Sequence, residues 1–331
     1  MEKQFKNGLV LGKMYPFHLG HKYLIDTAIS YCETVHVMVC SLEREKISGQ
    51  LRYEWVRSVY KDTPNVHIIH CEDENPQYTS ECATVDDFYN DYWIPTVYKN
   101  IKELDAVFTS EDYGDEFAKY LKVQHVLVDK SRNTFPVSGT AVRNNPYDNW
   151  EYIDNNVKKY FTKKVVVLGP ESVGKSTMVR QLAEYFNTEY VDEYGRTYTE
   201  LVGTDNLQIF DFENIALRHH NNIYNRIPCK LLFIDTDALT TKVFANMYLD
   251  NCESEVIDLL INLQSFDLCL VLSDEVPWID DGTRDFPNNR VNHFNTIIES
   301  LNNVGRPYIT ITGTEYEDRF NKALKEVKKL L

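Results

Sequence analysis

At 331 residues the chain is long enough for two domains of roughly 150 residues, each burying its own core. Hydrophobic residues make up 43% and aromatic residues 13% of it, which argues against disorder. A net charge of −15 argues against the broad basic face that nucleic-acid binding needs, yet a few local cations and backbone N–H groups suffice to hold a small phosphate ligand.

The seven cysteines include no C-x-x-C pair and sit mostly in apolar stretches. They read as reduced thiols of a cytoplasmic protein, not as disulfides or a zinc site. The N-terminus runs straight into a strand with no signal peptide pattern, and no apolar run is long enough to span a membrane.

Along the chain, short apolar runs alternate with longer amphipathic stretches, the pattern of a parallel sheet with crossover helices. Gly8–Leu11, Val35–Cys40, Val66–Ile69, Ala106–Thr109 and His125–Val128 read as strands, with helices near 20–31, 51–60, 85–103 and 114–121. The alternation restarts at Lys163, with strands at Val165–Leu168, Leu231–Ile234, Leu268–Leu272 and Tyr308–Thr312. Helices are expected near 175–186, 206–226, 253–263, 289–302 and 315–330. The expected fold is α/β, two doubly wound parallel-sheet domains, over 1–162 and 163–331. The polar, aromatic segment 144–162 is expected to pack between them.

After the first strand comes Gly12-Lys13-Met-Tyr-Pro-Phe17-His18-Leu-Gly20-His21. Two His at a strand-to-helix turn can point at one spot and neutralise charge building on a phosphoryl group, while Gly20 permits close approach and Lys13 adds a cation. A metal pair or ordinary core histidines would look the same at this point. Later, Val137-Ser138-Gly139-Thr140-Ala-Val-Arg143 reads as a capped helix start with free N–H groups and an Arg one turn in. A plain capped helix is its other reading.

In the second half, Gly169-Pro-Glu-Ser172-Val-Gly174-Lys175-Ser176 fits G-x-x-x-x-G-K-[ST] between a strand and a helix. Such a loop wraps a phosphate in backbone N–H groups, while the Lys reaches the β/γ-phosphates and the Ser hydroxyl binds Mg²⁺. Leu231-Leu-Phe-Ile-Asp235-Thr-Asp237 is an apolar strand ending in acids, where such sites place the acid that holds hydrated Mg²⁺; a helix cap is the other reading of acids at a strand end. Asp192-Glu193-Tyr194-Gly-Arg196 clusters an acid able to orient a hydroxyl with a phenol and a guanidinium. Pro277-Trp278-Ile-Asp280-Asp281-Gly-Thr-Arg284 has the make-up of a lid, with Arg284 able to meet the transferring phosphate.

Taken together, Gly12…His18-Leu-Gly-His21 with Ser138-Gly-Thr-x-x-Arg143 resembles the nucleotidyltransferase superfamily signature. The whole order of motifs resembles the NadR-type bifunctional family, which joins nicotinamide mononucleotide adenylyltransferase to ribosylnicotinamide kinase. Further matching pieces are Thr109-Ser-Glu111, Val126-Leu-Val-Asp129, Trp150-Glu-Tyr-Ile, Glu193-Tyr-Gly-Arg196, Phe233-Ile-Asp-Thr-Asp237 and Pro277–Arg284. The resemblance implies a Rossmann-like nucleotidyltransferase fold over 1–162 and a P-loop kinase fold over 163–331, ATP at both steps and Mg²⁺ at the P-loop, with ribosylnicotinamide, nicotinamide mononucleotide and NAD as the other small molecules. It implies His18 and His21 at the adenylyl-transfer transition state, and Gly12, Lys13, Phe17, Gly20, Ser138, Gly139, Thr140 and Arg143 around that ATP. It implies Gly169, Ser172, Gly174, Lys175, Ser176, Thr177, Asp280 and Arg284 on the second ATP, with Ser176 and Asp235 on the metal. Glu193, Tyr194, Arg196 and Asp237 would face the nucleoside, Glu193 as the acid in the chemistry.

Three departures bear on this. Some family members carry an N-terminal helix-turn-helix repressor segment; this chain starts at the first catalytic strand, so no repressor role is expected. The family often has Trp before Glu-Tyr-Gly-Arg, where this chain has Asp192. The 43–83 region matches least and is assigned no site. The same chemistries on another nucleoside and acceptor, or a nucleotide-sensing regulator without turnover, are the competing readings. A homo-oligomer is compatible with all of them, and neither nucleic acid nor membrane is expected as a partner.

Overall fold

The computed structural model describes residues 3–226, 228–249, 253–276 and 290–331. It divides into two compact units, 1–161 and 162–331. Among the described residues no helix is long and apolar enough to cross a membrane, and the six described cysteines are free.

The first unit holds a five-stranded parallel sheet built from β1 (Phe5–Gly12), β2 (Cys32–Cys40), β3 (Val66–Cys71), β4 (Ala106–Thr109) and β5 (Gln124–Leu127), in the order β3-β2-β1-β4-β5. Successive residues of β1 enter opposite cores: Leu9 packs with Met38, Val107 and Phe117, and Val10 with Ile25, Val37 and Phe108. Both faces are covered by helices, so the middle of the sheet, Leu9–Val10, Val37–Cys40 and Ala106–Phe108, is apolar without polar alternation. The order reverses between β1 and β4, and such a switch point opens a crevice at the strands' carboxyl ends.

The expected helix 85–103 is a composite: a turn at Val85–Asp87, a π-helical stretch Phe88–Trp93 and an α-helix Ile94–Asn100. Pro95, which has no N–H to give, sits just past the wide turn. Of the segment expected between the domains, Trp150, Ile153 and Val157 are buried in a core of the first unit, with Tyr147, Tyr152 and Phe161 against it. The helix Asn155–Phe161 supplies Val157 and Phe161, four residues apart on one face.

The second unit repeats the plan with β6 (Lys163–Leu168), β7 (Glu189–Val191), β8 (Leu231–Asp235), β9 (Leu268–Leu272) and β10 (Ile309–Ile311), all parallel, in the order β10-β9-β6-β8-β7. Val165 and Val167 face one core, Val166 and Leu168 the other. The helices Tyr194–Val202 and Ala238–Tyr248 follow strands whose ends carry the chemical residues.

Candidate active sites

The end of β1 turns sharply. Met14 takes a left-handed φ of 47° and Tyr15-Pro16 is cis; His18 stands at the start of the helix Leu19–Tyr31. His18 caps that helix: its Nδ1 accepts from the N–H of Gly20 (3.1 Å) and, longer, of His21 (3.4 Å). A Cβ on Gly20 would lie 3.0 Å from the His18 ring, so glycine here makes room for the folded-back imidazole. The His18 and His21 rings stack with centroids 3.8 Å apart.

Burial, and then the charge of Arg132, push His18 down to about 4. Burial, His18 and Arg132 hold His21 well below its ordinary value. Both rings are therefore neutral at pH 7, which is what lets them stack face to face. Because Nδ1 of His18 is an acceptor, its single proton sits on Nε2, which is left to donate.

Around this pair opens a cavity of about 750 Å³ whose wall includes Gly12, Lys13, His18, Gly20, His21, Ser138, Gly139, Thr140 and Arg143. Ser138 Oγ accepts from the Ala141 N–H at 3.1 Å and starts the helix Gly139–Asn144. A Cβ at Gly139 would come within 2.5 Å of the Tyr15 carbonyl. That carbonyl receives Arg143 Nη1, and the Arg143 guanidinium lies 4.3 Å over the Tyr15 ring. Lys13 pairs with Glu45 at 2.8 Å, and Glu45 in turn with Arg52 at 2.5 Å. Arg52 is fully buried, donates to the Lys13 carbonyl at 2.7 Å and lies over Tyr15 at 4.9 Å.

In the second unit the loop between β6 and the helix Lys175–Phe186 holds Gly169, Ser172 and Gly174 at φ 145°, 61° and 87°. The positive φ at Gly174 is expensive for a residue with a Cβ; a Cβ on Gly169 would also meet the Leu272 carbonyl at 2.7 Å. Lys175 is buried and donates to the Pro170 carbonyl at 2.9 Å, curled into the loop it closes. Arg319, also buried, donates to the carbonyls of Val173 (3.2 Å) and Ser273 (3.1 Å), tying the loop to the end of β9.

Asp235 ends β8 with no accessible surface. Neither carboxylate oxygen has a well-formed hydrogen bond among the described residues. Burial and the charge of Glu193 push it up to about 7, against the opposing pull of Lys175, Ser176 and Arg196. An orphaned buried carboxylate beside a hydroxyl at a helix start suits a hard cation that keeps most of its water and takes its other ligands from phosphate oxygens. The donor set fits Mg²⁺.

Residues 7–158 match the citrate lyase ligase C-terminal domain family and residues 164–319 the AAA domain family. The trifunctional NAD biosynthesis/regulator protein NadR of Escherichia coli (strain K12) is 32% identical over 348 residues, covering 98% of this chain and 83% of the relative. The chain belongs to the NadR family. Two crystal structures of NadR share the fold. One, in complex with NAD and AMP-PNP, has a TM-score of 0.76 at 21% identity and covers 99% of this chain and 97% of the other. One in complex with NR has a TM-score of 0.78 at 24% identity and covers 100% and 97%.

Within this NadR-family chain the structure brings most of the expected residues together and sets some apart. Phe17, expected at the nucleotide, is fully buried and absent from the cavity wall; it packs in the core behind His21, ring centroids 6.1 Å apart. Asp237, expected at the nucleoside, is fully buried too. Its Oδ1 accepts from the N–H and hydroxyl of Thr240 (both 2.9 Å) and its Oδ2 pairs with Arg306, so both oxygens serve the fold. Lys175, Ser176, Glu193 and Arg196 gather around Asp235. Tyr194 opens the helix behind Glu193, its ring 6.4 Å from Tyr198. Thr177 lies in the first turn after Ser176. Asp192, where a Trp is common in the family, pairs with Arg180 at 2.9 Å. Asp280 and Arg284 lie outside the described residues.

Sequence reading missed Glu45 and Arg52, which lie in the region assigned no site, and Arg132, whose charge reaches both histidines. No local spacing marks them: Glu45 comes from a turn, Arg52 from the helix Gly49–Tyr60 and Arg132 from the segment after β5. It also missed His219 and His293, both buried in the second unit. His219 Nε2 bonds the Thr236 carbonyl at 3.1 Å, and burial followed by Lys175 pushes His293 down to about 3.

Proposed function

We propose that this chain makes NAD in two steps: the second unit phosphorylates ribosylnicotinamide with ATP, and the first transfers AMP from another ATP to the resulting nicotinamide mononucleotide. The observation that carries this reading is the convergence of His18, His21, Lys13 and Arg143 on one hollow, on a chain whose other sheet bears a complete P-loop above Asp235. The relatives named for NAD biosynthesis, and the NAD, AMP-PNP and NR bound in the solved NadR structures, support the choice of substrates. So does the acidic charge, which suits small-molecule substrates, not nucleic acid, in a cytoplasmic enzyme.

In the first unit a phosphate oxygen of the mononucleotide attacks the α-phosphorus of ATP, and pyrophosphate leaves. His18 donates from Nε2 to the α-phosphate oxygens as charge builds there, with His21 stacked against it. Lys13 and Arg143, beside the helix start at Ser138–Thr140, hold the departing phosphates. In the second unit the ribose 5′-oxygen attacks the γ-phosphorus and ADP leaves. Glu193 takes the hydroxyl proton, Tyr194 and Arg196 border the nucleoside, and Lys175, Ser176 and Thr177 hold the phosphates inside the glycine loop. Mg²⁺ held by Ser176 and Asp235 would neutralise charge on the phosphates.

The test is incubation with ATP, Mg²⁺ and ribosylnicotinamide, followed by mass spectrometry of intermediate and end product. The native chain should form NAD, and His18→Ala should stall at nicotinamide mononucleotide. Lys175→Ala should make NAD only when given the mononucleotide. No product from either starting compound would sink the reading.

A further inference from the structure

Where the wall of the adenylyl-transfer cavity meets the end of β4, next to β1, runs an unbroken chain of polar contacts. Asp115 Oδ1 lies 2.7 Å from His125 Nδ1, His125 Nε2 lies 2.8 Å from Thr109 Oγ1, and Thr109 Oγ1 lies 3.0 Å from the Glu111 carbonyl. Thr109, at the end of β4, is 2% exposed and belongs to the cavity wall with Ser110 and Glu111; His125, on β5, does not.

The chain has a direction. A hydroxyl carries one proton, so Thr109 can donate to the Glu111 carbonyl only if it accepts from His125 Nε2–H. Asp115 Oδ1, 2.7 Å from Nδ1, fixes the orientation of the ring, and His125 in return holds the Asp115 carboxyl below its ordinary value. The space is reserved for this contact. A Cβ on Gly114 would fall 2.2 Å from His125 Nε2 and 2.3 Å from Thr109 Oγ1. From the far end of the turn, the Glu111 carboxylate reaches Arg132 at 3.6 Å, the cation whose charge bears on His18 and His21.

We propose that His125, oriented by Asp115, is a positioning residue for adenylyl transfer: through the Thr109 hydroxyl it sets the Thr109–Ser110–Glu111 wall of the cavity and, through Glu111, the place of Arg132. It touches no substrate. The inference rests on the reading of the first unit as the adenylyltransferase.

His125→Gln keeps an amide N–H where Nε2 was and can still donate to Thr109. His125→Asn places its amide at Nδ1, facing Asp115, and leaves Thr109 without a donor. Steady-state adenylylation of nicotinamide mononucleotide is measured for the native chain and both variants, with ribosylnicotinamide phosphorylation by the same polypeptide as the internal standard. His125→Asn should raise KM for the mononucleotide or ATP about tenfold, the weight of one hydrogen bond, with kcat nearly held. His125→Gln should restore most of the loss. Equal KM in all three proteins, or equal loss in both variants, overturns the proposal. Hydrogen exchange of the 109–112 amides is read in the same proteins. Should the native chain prove inactive in adenylylation, the functional reading fails, and exchange decides the rest: about tenfold faster in His125→Asn alone supports the positioning role, and no change overturns it.

Discussion

The neutral, stacked His18–His21 pair sets the character of the first site. His18 has two tasks, capping a helix through Nδ1 and offering Nε2–H to the cavity. His18→Asn separates them, because Asn is a good N-cap but has no ring. It should lower adenylylation by about 10²–10³, the usual cost of one transition-state donor, while leaving the unfolding transition and the kinase rate in place. Loss of folding in this variant would mean that the cap is the main role. Asp235 allows a sign to be worked out. Its carboxyl, at about 7 in the folded chain against about 4 in an unfolded one, binds a proton between those values that the unfolded state lacks. Stability from this group is therefore present below about pH 4 and lost as pH rises through 7. Asp235→Asn should raise the melting temperature of the second unit at pH 8 without Mg²⁺, and should abolish kinase activity. A melting temperature that stays put or falls would show that Asp235 is ionised without cost.

At the scale of elements, both sites depend on how closely backbone approaches backbone. The helix Gly139–Asn144 starts in contact with the Tyr15 carbonyl, where even a methyl group would lie at 2.5 Å. Gly139→Ala should push that helix start, and Arg143 with it, away from the cavity. The expected cost is about 1–3 kcal/mol of stability from overpacking and a raised KM for ATP in adenylylation only. Unchanged kinetics in a stably folded variant would show the wall to be more compliant than its geometry. In the second unit Arg319 links the P-loop to β9 through two carbonyls. Arg319→Met, similar in length but without donors, leaves both carbonyls unpaired. It should lower the melting temperature of the second unit and raise KM for ATP in the kinase reaction, since a buried unsatisfied group costs about 1–3 kcal/mol. An unaltered melting temperature would mean that water replaces the guanidinium.

Across the whole molecule, each unit has its own sheet and cores. Effects of His18→Asn and Arg319→Met should therefore add within about 0.5 kcal/mol, measured by the melting temperatures and rates of the double variant. Strong coupling would refute independence. Much of this plan was legible in the chain itself. Apolar runs such as Val165–Leu168 are buried on both faces, so they announce parallel strands, and the P-loop and His-x-x-His turn are contiguous because one turn builds each cradle. What lay beyond reading were groups whose partners are distant in sequence: Arg52 under Lys13, Arg132 beside the histidines, Arg319 beneath the P-loop, and Asp115–His125 behind Thr109. Phe17 and Asp237 were misplaced for the same reason, since a motif names a residue but not the side its side chain turns to. The sequence by itself determined the two sheets and the strand-to-helix turns at His18–His21 and Gly169–Ser176, because periodicity and turn chemistry are local. The tertiary structure alone decided which charges stand around each site and which residues serve the core, because burial and long-range pairing exist only once the sheets are assembled.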